Sequence, residues 1–185
     1  MSYFMVTIVS NKPLSCKNDL QLKVTNIATK YGVTLDKLTV QVYDTVDELY
    51  DDYYANCSDS DNQERKDTFC GYVDTDNHKL IHIISEESFI KTFTEKYNLK
   101  NLQLMYELTI LHECIHSITM ELNKNIVSKG MIELVEGMAV YESGQLDYMR
   151  QYNAIRGRYY GYGEWFEKYV LQNNYDRLRK MLKKL

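Results

Sequence analysis

Residues Leu108–Met120 read LTILHECIHSITM, and the rest of the chain is arranged around them. The stretch holds His112, Glu113 and His116, the pattern H-E-x-x-H. Leu104, Leu108, Leu111, Ile115, Ile118 and Leu122 recur at helical spacing and form an apolar stripe with the two histidines at its edge. A step of four residues is just over one helical turn, so both imidazoles project from one face and can bind one metal ion. Glu113 stands one position round from His112, within reach of a water on that metal, which is the placement of a general base in a zinc hydrolase. Two histidines do not complete such a site. A catalytic zinc takes three protein ligands and keeps one position open.

The third ligand is expected downstream. Met131–Ser143 reads MIELVEGMAVYES, with Ile132, Val135 and Ala139 at helical spacing and Glu133, Glu136 and Val140 on an adjoining stripe. A second helix packed beside the first could present a carboxylate to the metal. Gly137 and Ala139 are small, which predicts a close approach of these two helices. Glu136 is the candidate ligand, and Glu133, one turn earlier, is the alternative.

His112-Glu113-Cys114-Ile115-His116 followed by Glu136-Gly137-Met138-Ala139-Val140-Tyr141 resembles the gluzincin metallopeptidases, the thermolysin and aminopeptidase group, and is closest in size to the minigluzincins. The resemblance implies a zincin-like fold, Zn2+ as the metal, and a glutamate from the next helix as third ligand. A further stretch, Tyr160-Gly161-Tyr162-Gly163 with Trp165, Phe166, Tyr169 and Val170 after it, is similar to the aminopeptidase segment whose tyrosine stabilises the transition state. The matching position is Tyr160, with Tyr159, Tyr162 and Tyr141 as rivals. The resemblance also implies a sheet strand beside the metal that pairs with substrate backbone, and chain position puts it at Leu80–Ile84. Where thermolysin has an Asn and an Asp that orient the histidines, this chain has Val135 and Val140, so other groups must orient them.

Composition narrows the partners. The 185 residues carry a net charge of −4, which disfavours nucleic acid. From Asp44 to Asp76 there are eleven acids against two bases, and from Arg150 to Leu185 nine bases against three acids. These are read as two solvated faces, with an anionic docking patch at the C-terminal end as the alternative. No apolar run approaches a membrane span, the N-terminus is not read as a secretory signal, and Cys16, Cys57, Cys70 and Cys114 have no paired spacing. A cytoplasmic protein with reduced thiols is expected. The spaced aspartates Asp59, Asp61, Asp74 and Asp76 lack the glycine and distal glutamate of a calcium loop and are read as solvated.

Strands are expected over Tyr3–Val9, Leu38–Val42, Thr68–Val73 and Lys79–Ile84, the last two joined by a turn at Asp76-Asn77. Helices are expected over Cys16–Tyr31 with Gly32 past its end, from a Thr45/Glu48 capping box to about Ala55, and from Ser85 to about Tyr97. Two more close the chain over Tyr162–Leu171 and Tyr175–Leu185, while Gln145–Arg158 gives no clear pattern. His78 and His82 read as ordinary strand histidines. Strands early and helices late predict an α+β domain spanning residues 1–185. Its N-terminal lobe, residues 1–122, holds a small mixed sheet whose edge strand flanks the active-site helix. A helical C-terminal lobe, residues 123–185, follows.

The expected function is hydrolysis of peptide bonds in a peptide or protein substrate, with endopeptidase action favoured by the small size. Two alternatives use the same residues: a binding or regulatory domain stapled by a structural metal, and a zinc hydrolase of a non-peptide bond.

Overall fold

In a computed structural model the chain is described over residues 5–56, 69–97, 99–126, 130–152, 157–172 and 174–185. Strand β1 (Thr7–Ser10) leads into helix α1 (Lys17–Tyr31), then β2 (Lys37–Tyr43) and α2 (Val46–Asn56). A hairpin of β3 (Gly71–Val73) and β4 (Leu80–Ile84) follows, then α3 (Glu86–Lys96) and the long α4 (Leu102–Leu122). The remainder is helical: α5 (Ile132–Ser143), α6 (Gln145–Tyr152), α7 (Arg158–Trp165), a π-helical segment (Phe166–Leu171) and α8 (Tyr175–Leu182). The class is α+β, with a small mixed sheet. No helix among the described residues is long and apolar enough to cross a membrane.

Local chemistry sets the boundaries. Gly32 adopts φ +64° and closes α1, a left-handed geometry that costs glycine little. The capping box at the start of α2 is reciprocal: Glu48 N–H donates to Thr45 Oγ1 at 3.1 Å, and Thr45 N–H donates to Glu48 Oε2 at 3.2 Å. Ser85 Oγ caps α3 by accepting from Ser88 N–H. Asp74 Oδ1 accepts from the N–H groups of Asp76 and Asn77, both at 2.8 Å, so this carboxylate shapes the hairpin turn. Asp59 and Asp61 lie outside the described residues, as do Cys57, Thr68 and the start of the first expected strand.

The sheet order is β1-β2-β4-β3, parallel at β1–β2 and β2–β4 and antiparallel at β4–β3. This corrects the strand expected beside the metal. Leu80–Ile84 is an interior strand, and Gly71–Val73 is the edge. The reason is visible in β4 itself: Leu-Ile-His-Ile-Ile is almost continuously apolar and four of its five residues are buried, the pattern of a strand covered on both faces. The hairpin then places β3 outermost and antiparallel, against α4. A Cβ added at Gly71 would stand 3.4 Å from Glu113 Cγ.

Helix α4 is not amphipathic in the narrow way its leucine stripe suggests. It is buried almost continuously from Tyr106 to Thr119, because it has the sheet on one side and α1, α3, α5 and α6 around the rest. Gly137 also departs from expectation. Its close neighbour is α7 rather than α4: an added Cβ would lie 2.6 Å from the Tyr162 carbonyl oxygen and 2.9 Å from Phe166 Cβ. The far end of α5 is tied to α1, where the buried Glu142 carboxylate accepts from Tyr31 Oη and Lys30 Nζ, both at 2.8 Å. His82 lies among Tyr43, Asp52 and Tyr72, and its ring is stacked 4.3 Å from that of Tyr72. His78 pairs with Glu121 at 2.5 Å. Neither histidine lines the cleft described next.

Candidate metal centre

Helix α4 delivers His112 and His116 from consecutive turns, and α5 brings Glu136 across to meet both. Glu136 Oε2 lies 3.2 Å from His112 Nε2, and Glu136 Oε1 lies 3.7 Å from His116 Nε2. Two ligand atoms at bonding distance from a tetrahedral zinc stand about 3.3 Å apart, so these separations leave room for one ion between them. His112, Glu113 and His116 together form a buried group that could hold a metal ion, their ligand atoms all lying within 4.8 Å of one another. Glu136 reaches the two Nε2 atoms more closely than that limit and from a separate helix, so its carboxylate is placed where it could act as a third donor, with Glu113 nearby. Glu133 is exposed and is not among the residues that line the cleft.

The partner that orients His112 is one the sequence did not indicate. Gln145, the first residue of α6, is buried, and its Oε1 lies 2.8 Å from His112 Nδ1. Thr109 Oγ1 donates its proton to the Met105 carbonyl at 2.8 Å and accepts from Gln145 Nε2 at 3.5 Å. The hydroxyl thereby fixes which way the amide points. Gln145 Oε1 must accept, Nδ1 of His112 must donate, and Nε2 is the nitrogen left facing Glu136. One glycine, Gly144 at φ +86°, joins α5 to α6, so the ligand helix and the amide share an elbow. The equivalent nitrogen of His116, Nδ1, is buried with no hydrogen-bond partner among the described residues.

Burial pushes the Glu113 carboxyl up to about 7, aided by the Glu136 charge and opposed by His112. A base is most effective with its pKa near the working pH. Burial, reinforced by the His112 charge, pulls His116 down to about 4 and so favours the neutral imidazole, the form able to bind a metal. Burial acts against both the Glu136 carboxylate and the His112 imidazolium. It is outweighed at each by their mutual hydrogen bond and charges, so Glu136 falls to about 2 and His112 is raised.

The centre opens into a cleft of about 910 Å³. Cys70–Val73 of the edge-strand region forms one wall, and Gly157–Tyr159 at the start of α7 also line it. Tyr148 and Met149 of α6 are there too, with Phe93 and Tyr97. Tyr160 is not among the lining residues. Its hydroxyl donates to Glu164 Oε1 at 2.7 Å along its own helix, and its ring packs on the cluster of Leu108, Val140 and Leu146. Its neighbour Tyr159 faces the cleft instead, one helical step round. Cys70 lines the cleft, and burial and the Glu113 charge push its thiol pKa far up, so it stays protonated.

No family model, curated protein or solved structure matches this chain.

Proposed function

We propose that this protein is a zinc metallopeptidase of zincin architecture. The observation that carries the proposal is the convergence of His112 Nε2 and His116 Nε2 on Glu136, at 3.2 and 3.7 Å, beside a buried carboxylate that is not needed as a ligand. Two imidazoles and one carboxylate are a donor set suited to catalytic zinc. A structural metal site has no use for Glu113.

When bound, zinc would lower the pKa of a coordinated water towards ~7 and polarise the scissile carbonyl. The remaining chemistry belongs to the chain. Glu113, buried beside the centre, takes the proton of the attacking water and passes it to the leaving amine. Tyr159 replaces Tyr160 as donor to the developing oxyanion: its hydroxyl accepts from Arg158 at 3.5 Å, which leaves its own proton to give. Strand β3, last in the sheet order, runs beside Glu113 and would align the substrate backbone along it.

Metal analysis of the purified protein and digestion of a peptide library with and without chelator test the proposal. Stoichiometric zinc and chelator-sensitive cleavage are expected. Glu113→Gln should keep the zinc and lose cleavage. A protein that holds zinc, cleaves no peptide and is unaltered by Glu113→Gln would be the stapled binding domain instead.

A further inference from the structure

The cleft around the centre contains one basic side chain among its described lining residues, Arg158. It is the first residue of α7, next to Tyr159. Its guanidinium lies 5.1 Å from the centroid of the Tyr159 ring and donates to that residue's hydroxyl at 3.5 Å. No carboxylate among the described residues lies within ion-pair distance of it. Apolar and aromatic side chains, including Phe69, Phe93, Met105 and Met120, line other parts of the same cleft. The guanidinium is exposed at the mouth of the cleft, and the Glu136 carboxylate acts on it electrostatically without pairing with it.

We propose that Arg158 forms a carboxylate-binding subsite, so that the preferred substrate is a peptide bearing a carboxylate close to the scissile bond. This rests on the peptidase proposal and names its substrate class. The planar fork of a guanidinium matches a carboxylate bidentately, and its contacts with the Tyr159 ring and hydroxyl position it beside the cleft. The carboxylate is either an acidic side chain or the chain-terminal group, and the same guanidinium serves both.

The test uses zinc-loaded protein and matched, N-blocked peptides in three forms: one with an internal Glu, one with a free C-terminal carboxylate, and an all-amide control with Gln and a C-terminal amide. The Glu is placed in turn on either side of the scissile bond. The wild type is expected to favour one acid form over the control by about 10–100-fold in kcat/KM, the worth of a charge-assisted hydrogen bond. Which acid form wins identifies the source. Arg158→Gln should bring the ratio close to one, and Arg158→Lys should retain part of it. An absent preference in the wild type overturns the subsite. So does a ratio that survives Arg158→Gln, or an equal loss on acid and amide peptides, which would put the guanidinium on the scissile carbonyl. If the wild type cleaves none of them, the peptidase proposal falls separately. Calorimetric binding of the same peptides to wild type and Arg158→Gln then decides the subsite, which fails unless the acid forms bind tighter and only in the wild type.

Discussion

Gln145 holds its hydrogen bonds in a fixed sense, because Thr109 has already committed its proton to Met105. Replacing it by Leu removes the acceptor for His112 Nδ1 while keeping the volume, and zinc affinity should fall about 10–100-fold. Competition against a chromogenic chelator measures this, and an unchanged far-UV spectrum separates it from misfolding. Glu113 gives a second prediction, for the metal-free protein. Its folded pKa, about 7, is above the ordinary value of 4.5, so the folded state holds a proton that the unfolded state has released. The associated stability is full below pH 4.5 and is lost as pH rises through about 7. Glu113→Gln, which has no proton to lose, should escape that fall, so its stability relative to wild type should rise by up to ~3 kcal/mol across the window. Urea titrations of chelated protein at pH 4.5 and 7.5 check it. His112, Glu113 and His116 could be read from the sequence because a helix brings them together locally. Gln145 could not, because its contact spans 33 residues and depends on how α6 leaves α5. Tyr160 and Tyr159 illustrate the same limit: adjacent positions on a helix face directions about 100° apart, and motif spacing alone does not say which one faces the cleft.

Between elements, two glycines set the approach distances. Gly137→Ala would press a methyl against the Tyr162 backbone at 2.6 Å, which no rotamer change can relieve. A loss of about 1–3 kcal/mol is expected by denaturant titration, with weaker zinc binding because Glu136 is the preceding residue. Gly71→Val would crowd both the His82 carbonyl, 2.7 Å from an added Cβ, and Glu113 Cγ. It should impair peptide cleavage more than zinc binding, because Gly71 touches the base and none of the three ligands. Most helices and their caps were legible from Thr45/Glu48, Ser85 and Gly32, which act within a few residues. The order of the hairpin strands was not legible from chain position, which favours whichever strand comes closer to the metal helix. The continuous apolarity of Leu80–Ile84 was the available signal that this strand is interior.

For the whole molecule, the proposed zinc would link α4 to α5, because only the folded chain brings His112, His116 and Glu136 together. Zinc at a hundredfold excess over its dissociation constant should therefore add about 2.7 kcal/mol of stability. Chelation should lower Tm accordingly, and Glu136→Gln should lose much of that increment, as thermal scans with and without chelator would show. The α+β class follows from strands placed before helices, whereas the packing of α5 against α7 rests on tertiary contacts that periodicity does not encode. The single glycine joining α5 to α6 has a consequence of its own. Glu136 and Gln145 sit on opposite arms of that joint, so prising α6 outward with a wedge mutation at Met149 should unlatch the His112 imidazole while α5, held by α4 and α7, keeps its carboxylate in place. Zinc titrations of such a variant should show a weakened site that still saturates.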